Sequence, residues 1–292
     1  MVQISKPRTL VTGASGFIGR ALCRELRATS HHCIAALRKP APFEGEQVIV
    51  GDIGPDTDWR PALQGIGCIV HLAARTHVLN ERSADPLAVY RQINVEATRR
   101  LAQQAAAARV QRFVFLSSIK VNGESTGEHP FSPNDAPQPQ DAYGISQRQA
   151  EDVLRQIGTE TGMEIVILRP PLVYGPGVKG NFLRLLQAVA QGVPLPLASI
   201  KNRRSLVYVG NLVDAIITCM DSSAAAGKTF LVSDGEDVST PALIRKLAAA
   251  LGRPPRLLPC PPVLLHFAAA LLGKRAAAMR LTGSLAVDSS SL

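Results

Sequence analysis

Apolar and polar residues follow two different rhythms along the first 170 positions of the chain. Short apolar runs alternate with longer segments in which apolar residues recur every three or four positions. Such runs between turn formers are typical of buried strands, and the longer segments are typical of amphipathic helices. The predicted strands are residues 8–12, 33–37, 47–50, 68–72, 112–118 and 164–170.

Helices are predicted between these strands. One is FIGRALCRELRA from Phe17, a second covers residues 86–108, and a third holds Tyr143. The second carries apolar side chains on one face, at Tyr90, Ile93, Ala97 and Leu101. Strands that alternate with helices form a parallel sheet covered on both faces. The pattern therefore predicts an α/β fold with a doubly wound parallel sheet.

The pattern changes after Pro170, where proline, glycine and short mixed elements become frequent. We predict a first domain over residues 1–170 and a smaller C-terminal lobe over residues 171–292, with segments around residues 212–232 returning to the first domain. The apolar run VLLHFAAALLG from Val263 is shorter than the roughly 20 residues that span a bilayer. It predicts a core or interface helix and no membrane contact. The final DSSSL is interpreted as a truncation or a loop.

Composition narrows the class of protein. The chain has 292 residues, of which 46% are hydrophobic and 19% charged, as in globular proteins. Its five cysteines are scattered and form no C-x-x-C pair, so neither a disulfide framework nor a zinc site is expected. The opening MVQISKPRTLVTG lacks the apolar segment of a signal peptide. Both observations predict a protein of the reducing cytoplasm without a bound metal.

The formal net charge of +9 has two interpretations. Nucleic acid binding needs basic residues interleaved with stacking aromatics. Here Lys and Arg are dispersed, and aromatic residues make up only 4% of the chain. A small anionic partner with phosphate groups explains the charge at least as well, and no nucleic acid partner is expected.

The segment TGASGFIG joins the first predicted strand to the first helix and contains Gly13, Gly16 and Gly19. Glycine allows a tight turn and lets the backbone approach a pyrophosphate, whose charge is stabilised at the helix N-terminus. The position of the motif between strand and helix predicts a dinucleotide-binding site of the Rossmann type.

The order of further motifs resembles the extended short-chain dehydrogenase/reductase family. After the G-x-x-G-x-x-G loop come GDI, HLAA, NVEAT, FLSSIKVNG, YGISQ, LRPPLVYGPG and RRSLVYVGNLVDA. The resemblance spans essentially the whole chain and is strongest to nucleotide-sugar enzymes of the UDP-galactose 4-epimerase type and to 4-keto-sugar reductases. It implies an NAD(P)-binding Rossmann domain, a substrate-binding lobe, and a homodimer formed through the helix that carries Tyr143 and its neighbour.

The same resemblance implies the cofactor contacts, with Asn94 as a structural residue. The implied cofactor-binding residues are Gly13, Ser15, Gly16, Phe17, Ile18, Gly19, Arg38, Asp52, Ile53, Leu72, Ala73, Ala74, Tyr143, Gln147 and Pro170. The second strand is followed by Arg38 and Lys39 rather than by an acid, and cations there suit a ribose 2′-phosphate. This favours NADP over NAD; the alternative is that both residues are ordinary surface cations.

Ser118, Tyr143 and Gln147 occupy the positions that the family uses for catalysis. Ser118 would hydrogen-bond the reacting sugar oxygen, and Tyr143 would transfer the proton. The family has a lysine four residues after the tyrosine, on the same helix face, where its charge lowers the tyrosine pKa. Gln147 can supply a hydrogen bond and no charge. Arg148 lies roughly 100° further around the helix, which makes it a poor substitute.

Substrate contacts are implied for Asn181, Arg204 and Arg280, because a guanidinium binds phosphate through two parallel hydrogen bonds. Ile119 and Lys120 stand where 4,6-dehydratases of the family carry an acid pair, which disfavours dehydration. These residues predict an NAD(P)-dependent nucleotide-sugar oxidoreductase that acts at sugar C4 in the synthesis of surface polysaccharide precursors.

The direction of the reaction is predicted from Gln147. Reduction of a ketone uses the neutral phenol of Tyr143 and suffers less from the missing charge, which favours a 4-keto-sugar reductase over a 4-epimerase. Two alternatives stay open: a catalytically impaired binder of dinucleotide and nucleotide sugar, and a reductase of a ketone that carries no nucleotide.

Overall fold

A computed structural model describes residues 7–29, 31–76, 85–271, 273 and 275–291. The described residues form strands β1 (Arg8–Thr12), β2 (Cys33–Leu37), β3 (Glu46–Ile49), β4 (Ile66–His71), β5 (Arg112–Leu116), β6 (Glu164–Arg169), β7 (Leu172–Tyr174), β8 (Leu206–Tyr208) and β9 (Thr229–Leu231). They also form helices α1 (Phe17–Ala28), α2 (Pro86–Tyr90), α3 (Ala97–Ala107), α4 (Ala142–Thr161), α5 (Gly180–Ala190), α6 (Val209–Asp221), α7 (Thr240–Ala250), α8 (Pro262–Leu271) and α9 (Arg275–Thr282). Each strand predicted from the apolar runs is confirmed to within about two residues at its ends.

The main sheet is parallel and has the strand order β3-β2-β1-β4-β5-β6-β9. The chain builds outward from β1 to β3, then returns to place β4 on the other side of β1. This reversal opens a crevice at the carboxyl ends of β1 and β4, the usual ligand site of open α/β sheets. Thr12 and His71 pair at those two ends. The predicted fold, a doubly wound parallel sheet, is confirmed.

Helices cover both faces of the sheet. One apolar cluster joins Leu22 of α1 and Ile216 of α6 to the sheet, and a second joins Leu101 of α3 and Leu154 of α4 to its other face. Each of these side chains is fully buried, and burial of one stabilises the fold by roughly 1.5–3 kcal/mol. The two layers hold the carboxyl ends of the strands in place as the floor of the crevice.

The helix predicted over residues 86–108 is confirmed over residues 86–107, and its middle part, Arg91–Glu96, is a π-helical turn between α2 and α3. The wider turn contains buried Asn94. Its Nδ2 donates to the Arg75 carbonyl oxygen at 3.0 Å and to Ser146 Oγ at 2.9 Å, and its Oδ1 accepts from the Arg75 backbone N–H at 2.8 Å. Asn94 thus fixes the loop after β4 to α4, which agrees with the structural role implied for it.

The chain re-enters the main sheet after residue 170. Strand β9 pairs with β6 at the sheet edge, and α6 packs in the same apolar cluster as α1, whereas β7 and β8 form a separate parallel pair. The domain boundary at residue 170 and a substrate lobe over residues 171–292 stay predictions. Residues 1–6, 30, 77–84, 272, 274 and 292 of these two ranges lie outside the described residues.

A core or interface helix is predicted at Val263; the helix is present, the core alternative is wrong, and the interface alternative stays a prediction. Helix α8 contains no fully buried side chain among its described residues. Val263 and Leu271 are 77% and 74% exposed, and Leu264 and Phe267 are more than half exposed. Because His266 is the single polar residue of the run, the sequence has no period that would mark an outward face. A helix long and apolar enough to cross a membrane is absent from the described part of the chain.

Candidate active site

The glycine loop at the end of β1 is packed too closely for side chains. Gly13 has a φ of +68°, and a Cβ there would lie 2.8 Å from the backbone N of Ala73. A Cβ on Gly19 would lie 2.7 Å from the Cα of Ala14. Both positions therefore require glycine. The first amides of α1 have no helical partner and open toward this loop, which suits an anionic diphosphate.

The remaining residues predicted for the loop lie at its surface. Ser15 and Gly16 are exposed, and Phe17 and Ile18 are half-buried. Ser15, Gly16 and Phe17 line a cavity of about 520 Å³ together with Gly177 and Lys179. The chain after β7 therefore comes to the glycine loop and brings a cation with it.

The carboxyl ends of β1 and β4 are joined by a histidine that the sequence motifs did not mark as functional. His71 Nδ1 lies 2.7 Å from Thr12 Oγ1, and its Nε2 lies 3.0 Å from Thr98 Oγ1. Thr12 Oγ1 also accepts from the Ala73 backbone N–H at 3.3 Å. Burial lowers the pKa of His71 to about 4, so the ring is neutral at pH 7. It orders Leu72, Ala73 and Ala74, the half-buried residues expected beneath the cofactor.

The two residues predicted for the adenosine end face each other. Arg38 Nε lies 3.4 Å from Asp52 Oδ1, and both side chains are highly exposed. Ile53 packs against the apolar cluster of α3 and α4, which turns the neighbouring Asp52 outward. A cation and an acid therefore lie side by side where the adenosine end of the cofactor is predicted. Arg38 is not the isolated phosphate-binding cation that the sequence indicated.

The predicted catalytic residues come together. Gln147 Nε2 donates to the phenolic oxygen of Tyr143 at 3.0 Å. Burial raises the pKa of Tyr143 above its ordinary value of 10.0, while hydrogen bonds with Gln147 and Ser118 lower it. Within the described residues no cation contributes to this shift, and Arg148 is instead paired with Asp152 at 2.9 Å. The described residues therefore bring the three predicted side chains together, with an amide in the position where the family has a lysine.

Gln147 also provides a test for the cofactor. Its side chain is 1% exposed, and its Oε1 has no hydrogen-bond partner among the described residues. An unsatisfied buried oxygen costs stability, so a donor from a bound molecule would be favourable there. A ribose hydroxyl of a nicotinamide nucleotide is such a donor. Together with the glycine loop, this orphan acceptor fits a nicotinamide dinucleotide.

A buried ion pair that sequence reasoning missed lies behind Ser118. Arg169 Nη2 lies 2.6 Å from Glu151 Oε2, and Arg169 Nη1 donates to Asn122 Oδ1 at 2.9 Å. Ser117 Oγ donates to Glu151 Oε1 at 2.6 Å. The network ties α4 to the ends of β5 and β6. A signal existed in the sequence: a charged residue inside the apolar run EIVILR needs a buried partner.

Two further contacts hold the loop after β5 against the start of α4. Ile119 N–H donates to the carbonyl oxygen of Pro170 at 3.0 Å, which gives that predicted cofactor residue a place beside Ser118. Lys120 Nζ lies 2.5 Å from Asp141 Oδ2, and Asp141 Oδ1 accepts from the Gly144 N–H at the first turn of α4. Lys120 therefore positions the helix that carries the tyrosine.

The predicted substrate residues are only partly brought together. Arg204 Nη1 donates to the carbonyl oxygens of Arg280 and Gly283 at 2.6 and 3.2 Å, at the end of α9. Burial lowers the pKa of Arg204, and the side chain of Arg280 beside it is exposed. Asn181 is exposed in the first turn of α5, and in the described part of the chain no hydrogen bond joins it to either arginine. In the same ranges no cluster of three His, Cys, Asp or Glu side chains is placed to hold a metal ion.

Comparisons with known proteins show the family of the chain. The model of the NAD dependent epimerase/dehydratase family matches residues 9–233. The chain is 45% identical over 283 residues to UDP-glucose 4-epimerase of Vibrio cholerae, covering 96% of this chain and 86% of that protein. It is also 28% identical over 256 residues to N-acetyl-alpha-D-glucosaminyl-diphospho-ditrans,octacis-undecaprenol 4-epimerase of Escherichia coli O157:H7. This match covers 86% of this chain and 75% of that protein.

Among solved structures the chain is similar to MoeE5 in complex with UDP-glucose and NAD. The TM-score is 0.74 at 28% identity, over 87% of this chain and 85% of that one. The similarity in sequence runs from the glycine loop through Tyr143 to β9, the part of the fold on which the site is built. The chain therefore belongs to the NAD dependent epimerase/dehydratase family and is an enzyme of the extended short-chain dehydrogenase/reductase type.

Proposed function

We propose that this enzyme is an NAD-dependent 4-epimerase of a diphosphate-linked sugar, with a UDP-sugar as substrate. One observation carries the proposal: Tyr143, held by Gln147 and Ser118, lies on the helix that Asn94 fixes to the loop after β4, beside the glycine loop. The relatives named above support the substrate class. Both are named as 4-epimerases, one of UDP-glucose and the other of a sugar that is linked through a diphosphate to undecaprenol.

The reaction needs a group that moves a proton at the sugar C4 oxygen. With its diphosphate at the glycine loop and a ribose hydroxyl at Gln147 Oε1, the dinucleotide would supply the exchange of a hydride with C4. Tyr143 takes the proton of the C4 hydroxyl as the C–H bond breaks, and returns it to the ketone oxygen when hydride is added to the other face. Ser118 donates a hydrogen bond to the same oxygen and fixes its distance from the phenol.

Gln147 sets the cost of this chemistry. At pH 7 only about one in 1,000 free phenols is ionised, and burial reduces that fraction for Tyr143. The amide donor offsets part of this cost through its hydrogen bond to the phenolic oxygen. A slow epimerase is therefore expected. The same feature favours a second candidate, a 4-keto-sugar reductase, in which Tyr143 only donates its proton.

We propose NAD as the cofactor in place of the NADP that Arg38 and Lys39 indicated. The Asp52 carboxylate beside Arg38 would repel a 2′-phosphate and accept a hydrogen bond from a 2′-hydroxyl. The NAD in the complex of MoeE5 supports this choice. We also keep the predictions of a homodimer, of a role in surface polysaccharide synthesis and of a reducing compartment, the last supported by the five free cysteines.

The test is a product analysis with the purified protein. Mass spectrometry identifies the dinucleotide that co-purifies, and UDP-glucose or UDP-galactose is then incubated with catalytic amounts of NAD. The proposal expects conversion of each sugar into its C4 epimer without net NADH. Stoichiometric oxidation of NADPH by a 4-keto sugar would establish the reductase instead, and binding of both ligands without turnover would establish the impaired binder.

The diphosphate assignment has its own test in Arg204→Ala. Loss of a guanidinium that contacts a diphosphate should raise the KM for the UDP-sugar about tenfold or more. Arg203→Ala is the matched control, because Arg203 is exposed and paired with Asp237 at 2.9 Å. Equal KM values for Arg204→Ala and the parent protein, with unchanged thermal unfolding, would overturn the assignment and leave a ketone without a nucleotide as the substrate.

A further inference from the structure

Helix α8 presents a continuous apolar stripe to solvent. The α8 stripe consists of Val263, Leu264, Phe267 and Leu271, which are 58–77% exposed and recur on one face of the helix. Leu258, just before the helix, is also more than half exposed. Scattered exposed apolar residues are ordinary, whereas a contiguous set of this kind marks an interaction site.

The opposite side of α8 is anchored, so the orientation of the stripe is fixed. Leu265 packs against the apolar cluster formed with Ile200 and Ile244. His266 Nε2 lies 3.1 Å from Thr282 Oγ1 at the end of α9. The stripe therefore faces outward because the other face of the helix is held by the protein.

The segment of the chain that contains the stripe has one sign of charge in its sequence, and its Lys246 is paired with Glu236 from outside the segment. Residues 238–287 contain seven Lys and Arg and no Asp or Glu, so this segment holds most of the formal net charge of +9. Arg253 and Arg256, in the loop that leads to α8, are exposed. An apolar stripe inside an acid-free cationic segment complements a surface whose outer layer is anionic and whose interior is apolar.

We infer that the α8 stripe docks on a bilayer of anionic phospholipid. A helix with exposed Leu and Phe on one face and basic residues beside it lies in the interface, with its apolar side chains among the acyl chains. Its ten residues give a length of about 15 Å, half of the roughly 30 Å hydrocarbon core, so it lies along the surface rather than across it. Arg253 and Arg256 contact the lipid phosphates.

A second copy of the chain fits this face less well. A two-fold contact would place the same acid-free cationic segment of both copies against each other, and the like charges would repel. An acidic protein partner would satisfy the charges and would still need an apolar groove for four large side chains. The bilayer satisfies both requirements at once.

Vesicle flotation tests the inference directly. The full chain is mixed with vesicles of phosphatidylglycerol and phosphatidylethanolamine, or of phosphatidylcholine alone. The expected result is binding to the anionic vesicles that high salt weakens, and binding to the neutral ones that is at least about tenfold weaker. The double variant Phe267→Glu/Leu271→Glu should lose about tenfold or more of the affinity. The matched control Ile49→Glu places an acid at a half-exposed apolar position of β3, outside the stripe, and should bind as the parent does.

Cys260 gives a local readout of the same contact. It is partly exposed just before α8, while the other four cysteines are buried, so a thiol-reactive environment-sensitive dye labels it selectively. Its emission should shift to the blue on anionic vesicles in the parent protein and not in Phe267→Glu/Leu271→Glu. The inference is overturned if the parent stays unbound, if both vesicle types bind equally, or if the double variant binds as the parent does. It is also overturned if the parent protein does not bind vesicles and sedimentation velocity shows that it is a dimer which the double variant dissociates.

Discussion

Gln147 Nε2 donates to the phenolic oxygen of Tyr143 at 3.0 Å from the position four residues further along α4. The amide therefore keeps the hydrogen bond that a lysine would make, and within the described part of the chain no cation lowers the pKa of the phenol. Because burial raises the pKa of Tyr143 above 10.0, removing its proton near neutral pH is the expensive part of the proposed reaction. The Gln147 side chain decides how fast this enzyme can be.

Gln147→Lys should raise turnover at pH 7 at least about tenfold, because an ammonium group beside the phenol stabilises the phenolate. The sign follows from the pKa: the rate rises with pH as Tyr143 loses its proton, so a lower pKa of Tyr143 in the variant moves this rising limb of the rate profile to lower pH. Turnover is measured as epimer formation across the pH range. Gln147→Met is the control, since it removes the hydrogen bond without adding charge and should be slower than the parent. If Gln147→Lys binds NAD and the UDP-sugar but its turnover does not exceed that of the parent, the result supports the alternative of a catalytically impaired binder.

Tyr143→Phe should reduce turnover by roughly 10² to 10⁴-fold, the usual contribution of a general acid/base group. Substrate and cofactor binding should be preserved because the ring itself remains. Tyr90→Phe is a close control: its ring lies 6.2 Å from that of Tyr143, and its hydroxyl donates to the Thr76 carbonyl oxygen. Calorimetric titration and epimerase assays separate the two effects. Equal losses of rate in the two variants would argue that the phenol of Tyr143 has no role in proton transfer.

Much of this site was predictable because it rests on local patterns. The glycine loop, Ser118 at a strand end and the Tyr143–Gln147 spacing each follow from a few consecutive residues. The contacts between residues that are distant in sequence were not predictable, because they depend on how the elements pack in the fold. The π-helical turn that brings Asn94 to Ser146, and the pairing of Arg38 with Asp52, join residues far apart in sequence. A solvated cation and a paired one look the same in a sequence.

The mostly apolar α8 shows the limit of hydrophobic periodicity. The prediction of a core or interface helix at Val263 rested on composition, because the one polar residue of the run, His266, faces Thr282 of the protein and does not mark the solvent face. Which side of such a helix is covered depends on how many partners the fold supplies. Here α9 and the cluster around Ile244 cover only one side.

Glu151→Gln should lower the free energy of unfolding by about 3–5 kcal/mol, because it leaves the Arg169 guanidinium buried without its counter-charge. Both side chains are nearly or completely buried in the parent protein. Arg155→Ala removes the second, 38% exposed partner of Glu151 and should cost less than about 1 kcal/mol. Urea unfolding at pH 7 measures both. Similar losses in the two variants would show that the Glu151–Arg169 pair is not the dominant interaction of this carboxylate.

His71 predicts an acid-sensitive fold. Its pKa is about 4 in the folded chain because of burial, against about 6.5 when unfolded, so between these values the unfolded chain binds more protons. Stability from this group is complete above pH 6.5 and is lost as the pH falls toward 4. From pH 7.5 to pH 5 the loss should be roughly 2 kcal/mol. In His71→Gln, which has no titrating ring, the free energy of unfolding should fall less over this range. His129→Gln, at an exposed histidine, should follow the parent. If His71→Gln loses as much stability as the parent does, the acid sensitivity comes from other groups.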